Sequence, residues 1–234
     1  ISKQNSVIDF SVLEGCVREI LDESAERRMA VIQPIKLVLT NLPEGHAESL
    51  SMANHPKNEA LGRREVPFSN ELWIDAEDFM AEPVAGYHRL VPGGEVRLRG
   101  VGIVKCQDVL MHDGLVRELR CTLDLDSRSG MEGSKRKVKG TIHWVCAKRA
   151  VAAEFRLFDR LFTVENPDSE DGGLGYRDFL NPQSLQVPEA AAAASEQCFQ
   201  FERQGYFVAD RHDHAAGKPV FNRCVTLRDT WAPK

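Results

Sequence analysis

Short apolar runs separated by turn residues fill most of the chain, and this pattern constrains the fold more than any other feature. Residues 95–99, EVRLR, alternate apolar and charged side chains as a half-buried β-strand does. Similar runs recur at 35–39, 72–74, 103–110, 116–125, 136–146, 155–162, 199–208 and 220–227, with turns at 92–94, 113–114 and 171–173. Many short strands between such turns predict a mainly β protein of one or two β-barrels rather than an α/β sheet.

The start of the chain has a different pattern, which predicts a helix. Apolar side chains recur at helical spacing, at Phe10, Leu13, Val17, Ile20 and Leu21. Ser11 and Glu14 fit a capping box at the start of this helix, and a further helical turn is expected at 25–29. Near the other end, the Ala-rich segment 188–197 is expected to be a surface loop or a short helix.

Composition fits a soluble globular protein in a reducing compartment. The chain has 234 residues, with 42% hydrophobic and 28% charged residues and a net charge of −5. No apolar run approaches the ~20 residues of a membrane span, and no signal-peptide pattern is present, so we expect a cytoplasmic protein. The six cysteines form no CxxC pair and are expected to be free thiols. The first residue is Ile1, which fits a piece of a longer protein.

The segment 136–145, RKVKGTIHWV, predicts a strand with two unlike faces. Val138, Ile142 and Trp144 share one face, whereas Lys137, Lys139, Thr141 and His143 share the other. A cationic, hydrogen-bonding face suits a barrel that holds a polyanion on its surface. A half-buried strand with solvated lysines has the same pattern and is the more common case.

Arginines are grouped around the turn at 92–94. Arg97 and Arg99 lie two residues apart on a predicted strand, and Arg89 precedes the turn. A guanidinium can bind a phosphate or the edge of a guanine, and it can stack on a base. The alternative is a charged edge strand that discourages aggregation.

A second polar group lies in residues 199–207, FQFERQGYF. Phe201 and Phe207 are expected to pack inward, and the alternating residues to face outward: Gln200, Glu202, Gln204 and Tyr206. Glutamine and arginine together are good hydrogen-bond donors for unstacked bases. An ordinary exposed strand has the same pattern.

The sequence contains no motif that predicts an enzyme active site. His212 and His214 lie near Asp210 and Asp213, but no distant histidine or cysteine completes a ligand set, so no metal site is predicted. His143 is expected to be a surface or packing residue. The sequence contains no phosphate-binding glycine loop and no nucleophile elbow, and no catalytic residue is predicted.

Seven collinear segments together resemble the C-terminal half of bacterial-type glutaminyl-tRNA synthetases, which are class I aminoacyl-tRNA synthetases. They are RRMAVIQPIKLVLTN, SMANHPKNEALGRREVPFSNELWIDAEDF, YHRLVPGGEVRLRG, KVKGTIHWV, RLFDRLF, FQFERQGYF and KPVFNRCVTLRDTWA. The resemblance implies two anticodon-binding β-barrels after a helical subdomain. Residues 1–30 would be the end of the helical subdomain. The first barrel would consist of residues 31–83 and 181–234, and the second of residues 84–180.

The resemblance also implies what the chain lacks. The family's ATP-binding signatures, which belong to a Rossmann catalytic half, are absent, so this chain should not aminoacylate and should bind no cofactor. ATP and Mg²⁺ would belong to the catalytic half of a parent ligase, which would be a partner in cis. The other implied partner is the anticodon stem-loop of tRNA(Gln), with CUG or UUG as anticodon, and no membrane is expected.

Residue roles follow by the same resemblance. Arg27, Gln200 and Arg203 match positions at the central uridine, and Arg89 matches the arginine that recognises the third base, guanine. Arg97 and Arg99 match positions at the first base and its phosphate. Possible contacts to the RNA backbone are Lys57, Lys137 and Lys139. Gly86 and His88 depart from the family, because glutamine and lysine can occupy these positions.

Three competing functions fit parts of the same sequence. A stand-alone β-barrel RNA-binding module of the ribosomal-protein kind would account for the barrel and the basic strand, but not for the collinear segments. The anticodon-binding region of a glutamyl-tRNA synthetase is a close alternative within the resemblance. A metal-dependent enzyme would need His212, His214 and an aspartate as ligands.

Overall fold

The computed structural model describes residues 8–167, 175–192 and 198–228, and it begins with helix α1, Phe10–Ser24. The side chain of Asp9 caps this helix by accepting a hydrogen bond from the backbone N of Ser11. The predicted cap at Ser11 is therefore wrong, because the aspartate two residues earlier supplies an equally good acceptor. The predicted helical turn at 25–29 is also wrong, since residues 26–28 form a strand.

Strands far outnumber helices in the described ranges, which confirms the mainly β prediction. They are β1 Glu26–Arg28, β2 Ala30–Ile32, β3 Pro34–Leu39, β4 Ala47–Ala53, β5 Arg63–Ser69, β6 Glu71–Asp75, β7 Glu95–Leu98, β8 Gly102–His112, β9 Leu115–Asp124, β10 Thr141–Ile142, β11 Val145–Cys146, β12 Val151–Phe158, β13 Leu185–Gln186, β14 Glu189–Ala192, β15 Phe199–Phe201, β16 Gly205–Ala209 and β17 Val220–Val225. Short 3₁₀ helices lie at Glu59–Leu61, Ala76–Asp78, Leu125–Ser127, Glu132–Lys135 and Tyr176–Phe179.

Two large sheets and one hairpin organise these strands. The first sheet has the order β10-β7-β8-β9-β3-β6-β11. The second has the order β1-β15-β16-β17-β12-β14-β2, with β13 paired to β12, and β4 and β5 form the separate hairpin. The chain passes from the second sheet to the first between Ile32 and Pro34, through Gln33 in a left-handed conformation (φ 61°).

The sheets do not follow the predicted barrel boundaries strand by strand. Strands β3 and β6, from the range 31–83, pair in the same sheet as β7 to β11. Strand β12, from the range 84–180, pairs in the sheet that holds the late strands. The division into a first barrel at 31–83 and 181–234 and a second at 84–180 therefore stays a prediction.

Each large sheet covers its own apolar core. The first sheet buries a core that includes Trp144, Phe68 and Leu37. The second buries an aromatic core whose ring centroids lie 5.0–6.3 Å apart, made of Phe155, Phe199, Phe201, Phe207 and Phe221. Most of these ring pairs meet edge to face, an arrangement that is favourable beyond the area that it buries. The predicted inward positions of Phe201 and Phe207 are confirmed.

Helix α1 packs on the second sheet through a small third core. Val17 and Leu21 of the helix contact Ala25, Tyr206 and Val225. Tyr206 is buried here, so its predicted outward position is wrong. The helix covers that end of β16, and strand alternation alone does not show which face a neighbouring helix will cover.

The strand predicted for residues 136–145 is confirmed only in its second half, where the short strands β10 and β11 lie and where Ile142 and Trp144 are buried as predicted. Residues 136–140 form no strand, and β10 contains only Thr141 and Ile142. Gly140 interrupts the strand because its φ is +88°, and a Cβ there would lie 2.0 Å from the carbonyl oxygen of His88. Lys137 and Lys139 are exposed, as predicted, but His143 is buried at 1% exposure and does not share their face.

Other expectations fall partly outside the described residues. The Ala-rich segment begins with strand β14, which pairs with β12 and β2, rather than with a helix; its residues 193–197 and the turn at 171–173 lie outside the described ranges. All six cysteines are free thiols. Among residues 8–167, 175–192 and 198–228, no helix has the length and apolar character needed to span a bilayer.

Candidate nucleic-acid interface

The hairpin of β15 and β16 brings together most of the predicted site residues. Phe201 pairs with Gly205, and the chain reverses through Glu202, Arg203 and Gln204. Arg203 adopts a left-handed conformation with φ 68°, which few non-glycine residues do outside tight turns. The turn directs successive polar side chains to different partners.

Arg27 and Gln200 are direct neighbours in the second sheet. Strands β1 and β15 run parallel, and their register places Arg27 opposite Gln200. Arg27 is only 5% exposed. Its guanidinium donates to the carbonyl oxygens of Ala25 and Asp22, at 2.9 and 3.0 Å, and to Oδ1 of Asp22 at 2.6 Å. The structure therefore holds Arg27 in a fixed orientation beside Gln200.

Asp22 and Tyr206 complete this group. The Tyr206 hydroxyl donates to Oδ1 of Asp22 at 3.2 Å, and the Arg27 guanidinium lies 6.0 Å from the centre of the Tyr206 ring. Lys57, a predicted backbone contact, has its Nζ 3.7 Å from Oδ2 of Asp22. Partial burial acts to raise the pKa of Asp22, but the charge of Arg27 and the Tyr206 hydrogen bond hold this pKa below its usual value.

Arg89 and Arg203 meet at a second group, around two carboxylates. Nη1 of Arg203 donates to Oδ2 of Asp78 at 2.6 Å, and Nη1 of Arg89 lies 3.1 Å from Oδ1 of the same side chain. Glu77 also pairs with both arginines, at 3.1 Å from Arg89 and 3.5 Å from Arg203. Burial lowers the pKa of Arg203, but Asp78 more than offsets this effect, so the pKa is raised and the guanidinium stays charged.

An open cavity of about 580 Å³ lies at this second group. It is lined by Glu77, Gly86, Tyr87, His88, Arg89, Gly140, Thr141 and Arg203. The Tyr87 hydroxyl donates to the carbonyl oxygen of Glu77, and burial together with the nearby charge of Asp78 raises the pKa of Tyr87 to about 12. The hydroxyl therefore stays protonated, and the cavity walls offer hydrogen-bond donors of both charged and neutral kinds.

Arg99 and Arg97 point to different partners. Nη2 of Arg99 lies 2.9 Å from Oε1 of Glu202, so Arg99 joins the hairpin. The guanidinium of Arg97 donates instead to the carbonyl oxygens of Ser127, Ser134 and Arg136. The structure brings five predicted residues to the hairpin, and they are Arg27, Arg89, Arg99, Gln200 and Arg203; Arg97 holds the segment 127–136 in place.

Of the side chains considered as metal ligands, His214 and the two aspartates already have other contacts. Nδ1 of His214 lies 3.1 Å from the carbonyl oxygen of Val220. The carboxylate of Asp210 accepts from the backbone of His212 and Asp213 and from Asn222, which holds the pKa of Asp210 well below its usual value. Arg156 pairs with both Asp210 and Asp213. These contacts occupy the oxygens that a metal ion would need.

One buried group has the residue types of a metal site. Asp75, Asp78 and His143 offer ligand atoms within 4.8 Å of one another. Oδ1 of Asp75 accepts from the backbone N of Ile32, and Oδ2 accepts from Gln204 and contacts Nε2 of His143. Asp78 is paired with two guanidiniums. A cation would have to displace these donors, so the group fits a polar network that joins the two sheets better than a metal centre.

Sequence reasoning missed the acidic half of this surface. Asp22, Asp78 and Glu202 each hold a predicted arginine by a contact of 2.6–3.1 Å. Asp78 lies in the segment WIDAEDF, where two aspartates follow an apolar run, and this segment was the signal available in the sequence. Nothing in the sequence alone indicates which arginine each carboxylate meets.

Two family models match the chain, at residues 25–124 and 141–210, and both are described as tRNA synthetases class I (E and Q), anti-codon binding domain. The chain belongs to this family of anticodon-binding domains. Within it, the chain is similar to glutamine–tRNA ligases. It is 65% identical to that of Xanthomonas euvesicatoria pv. vesicatoria (strain 85-10) over 239 aligned positions, which cover 99% of this chain and 41% of the relative.

Further relatives have the same name and the same coverage. The glutamine–tRNA ligase of Xanthomonas axonopodis pv. citri (strain 306) is 64% identical over 239 positions. That of Xylella fastidiosa (strain M12) is 62% identical over 238 positions. In each case the match covers 99% of this chain and 41% of the relative, so the chain spans about two fifths of the length of these proteins.

Proposed function

We propose that this chain recognises the anticodon loop of tRNA(Gln), as the anticodon-binding part of a glutamine–tRNA ligase. The observation that carries the proposal is the β15–β16 hairpin. Its Gln200, Glu202 and Arg203 lie respectively beside Arg27, Arg99 and Arg89. One short turn thus gathers donors that belong to segments far apart in the chain.

The donor chemistry suits the glutamine anticodons CUG and UUG. Sequence-specific recognition of RNA acts mainly on unstacked loop bases, through their edges. Uridine and guanine both present carbonyl acceptors, and guanine O6 and N7 together accept both arms of an arginine. We assign Arg27 and Gln200 to the central uridine, and Arg99 to the first base or its phosphate. We assign Arg89 to the third base. Arg203, which the resemblance places close to the central uridine, is assigned to the third base as well, because Asp78 joins it to Arg89.

Acidic partners do not prevent an RNA-binding role for these arginines. Asp22, Asp78 and Glu202 fix guanidinium orientations before the RNA arrives, which lowers the entropy lost on binding. The net charge of −5 makes non-specific attraction weak, so base contacts should contribute a large share of the affinity. Lys57, Lys137 and Lys139 remain candidates for phosphate contacts, and binding should weaken with salt.

Aminoacylation is proposed for the remainder of a longer parent protein. The chain covers 41% of each of these glutamine–tRNA ligases, and we infer that ATP, Mg²⁺ and glutamine bind outside these 234 residues. Helix α1 supports a contact with such a catalytic partner, because Leu13 and Ile20, which lie two turns apart on one flank of the helix, are both exposed. Apolar groups exposed together on one helix are typical of an interface.

Fluorescence anisotropy with labelled anticodon stem-loops tests the proposed function. The 234-residue chain should bind a CUG loop more tightly than loops altered at the second base, CAG, or at the third base, CUA. Salt of about 0.1 M suppresses non-specific attraction during the comparison. Equal binding of all loops would contradict the proposal and favour a stand-alone RNA-binding module. Preference for the glutamate anticodon CUC would indicate a glutamyl-type site.

A further inference from the structure

We propose that Asp78 is a positioning residue, which holds Arg89 and Arg203 in the orientation that recognises the third anticodon base. The inference rests on the proposed function. Asp78 ends the 3₁₀ helix Ala76–Asp78 that follows β6, and its side chain is fully buried. Its carboxylate contacts both Arg89, which precedes β7, and Arg203, which lies in the β15–β16 turn.

Asp78 fixes Arg89 through its backbone as well as its side chain. The backbone N of Leu90, next to Arg89, donates to the carbonyl oxygen of Asp78 at 3.0 Å, and that of Met80 donates to the carbonyl oxygen of Leu90 at 3.1 Å. Phe79 and Leu90 form a parallel bridge. The backbone next to Arg89 is therefore hydrogen-bonded to the backbone at Asp78 and Met80. Because the backbone is already ordered, the Arg89 side chain loses little further conformational freedom when it contacts Asp78.

The contact leaves one edge of Arg89 available to a base. Nη1 of Arg89 carries the hydrogen bond to the Glu77 carbonyl oxygen and the closest contacts to Glu77 and Asp78. Within the described ranges, no hydrogen bond to protein occupies Nε or Nη2 of Arg89. These two donors form the parallel pair that binds O6 and N7 of guanine. Because Glu77 and Asp78 hold Nη1, the edge formed by Nε and Nη2 is the one that remains for a base in the cavity.

Asp78 is better placed for this role than its neighbour Glu77. The Glu77 side chain is 64% exposed, so water and salt screen its attraction for the two arginines. Asp78 has no exposed area, and its 2.6 Å bond to Arg203 is screened much less. Arg203 also sits in a left-handed turn conformation that must be held in place. One buried carboxylate therefore sets the geometry of both arginines.

Asp78 could have the same distances to its arginines in a purely structural role. Measuring how well the chain discriminates between bases separates a structural role from a positioning role. A structural role predicts that loss of Asp78 weakens binding of every loop alike. A positioning role predicts a selective loss at the third base, because Arg27 and Gln200, which we assign to the second base, do not contact Asp78 in the structure. The ratio of affinities for two loops cancels a general loss of folded protein.

The test is Asp78→Asn in the 234-residue chain, with the CUG, CUA and CAG stem-loops. We expect the CUG-to-CUA affinity ratio to fall by about fivefold or more, which corresponds to the lower end of the range for one base contact. The CUG-to-CAG ratio should stay unchanged. Asp210→Asn is the matched control, because the Asp210 side chain is also largely buried and also pairs with an arginine, Arg156, but neither residue has an assigned role in the site; it should change neither ratio.

A second pair of variants covers the case in which Asp78→Asn fails to fold. Removing both members of a buried ion pair disturbs a fold less than removing one. The double variant Asp78→Asn with Arg203→Gln is therefore compared with Arg203→Gln alone, and the double variant should have the lower CUG-to-CUA ratio. Equal ratios, in either comparison, would overturn the role of Asp78. A wild-type chain that binds CUG and CUA equally would instead overturn the proposed third-base recognition itself, before any variant is made.

Discussion

Arg27 and Gln200 face each other across the parallel pair of β1 and β15, and they are the predicted site residues that the sheet itself joins. Parallel register fixes their Cα atoms, and Asp22 fixes the guanidinium of Arg27 at 2.6 Å. Gln200 is half-buried, and Arg27 is buried. The sheet and Asp22 therefore hold Arg27 rigidly beside Gln200, and a rigid arrangement suits discrimination between bases better than a flexible lysine would.

Gln200→Ala should selectively reduce recognition of the second anticodon base. The amide is one of the assigned donors to the central uridine, and loss of a good base contact costs about 1–3 kcal/mol of discrimination. The ratio of affinities for the CUG and CAG stem-loops, measured by anisotropy, reports this change. Gln186→Ala, at an exposed position of β13, is the matched control and should leave the ratio unchanged. A normal ratio in Gln200→Ala would remove Gln200 from the site.

Arg89→Ala should cost about 1–3 kcal/mol of discrimination at the third base, because it removes both guanidinium donors assigned to guanine. The quantity to measure is the CUG-to-CUA affinity ratio at a fixed salt concentration. Arg117→Ala removes an exposed arginine of β9 and controls for the loss of one positive charge. If both variants weaken binding to the two loops equally, Arg89 acts only as a charge near the RNA backbone.

Strand alternation predicted the regular part of this fold. Runs at 35–39, 95–99 and 103–110 match β3, β7 and β8 closely, because alternation and burial on one face determine these strands locally. Alternation failed at 136–140, where Gly140 approaches His88 too closely for any side chain. That contact joins distant segments, and no local pattern contains it.

The basic residues of the candidate site could be named from the sequence, and their acidic partners could not. Resemblance to a family carries over the positions to which the family assigns ligand contacts, so it named Arg27, Arg89 and Gln200 as candidates. It gave no pairing for Asp22, Asp78 or Glu202, whose partners are set by the sheet register and by the β15–β16 turn. Tyr206 was placed on the wrong face for the same reason, since a helix from elsewhere in the chain covers it.

Asp22 should make stability depend on pH in the acid range. Its pKa in the folded state lies below the usual 3.8, because Arg27 and Tyr206 stabilise the carboxylate more than burial opposes it. A lowered pKa contributes stability that is full above the unfolded value, near 3.8, and is lost as pH falls through the lower folded value. Wild type should therefore lose its advantage over Asp22→Asn as the pH falls below about 4.

Urea unfolding of the two proteins across this range measures the difference. Asp22 is about half exposed, so solvent screening makes the effect small. Asp126→Asn removes another exposed carboxylate and should follow the wild-type curve. A constant difference between wild type and Asp22→Asn, from neutral pH to below about 4, would show that Asp22 contributes through its shape rather than through its charge.

Gly140→Ala should destabilise the fold and disturb the third-base cavity together. The left-handed φ of +88° alone costs about 1–2 kcal/mol for a residue with a Cβ. The new Cβ would also meet the His88 carbonyl oxygen at 2.0 Å, so the segment 87–89 must move, and we expect a total cost of about 3 kcal/mol or more. Gly114→Ala separates the two causes, because Gly114 has a φ of +75° but open space around its Cβ position.

The urea midpoint of Gly114→Ala should therefore fall by the equivalent of the backbone cost alone, about 1–2 kcal/mol, and that of Gly140→Ala should fall further. Since Gly140 lines the cavity beside Arg89, the CUG-to-CUA affinity ratio should also decrease in Gly140→Ala and stay normal in Gly114→Ala. Equal losses of stability in the two variants would show that the approach of Gly140 to His88 contributes nothing beyond backbone conformation. A normal affinity ratio in a folded Gly140→Ala would show that the cavity tolerates displacement of the 87–89 segment, and third-base recognition would then have to depend on Arg203 rather than on Arg89.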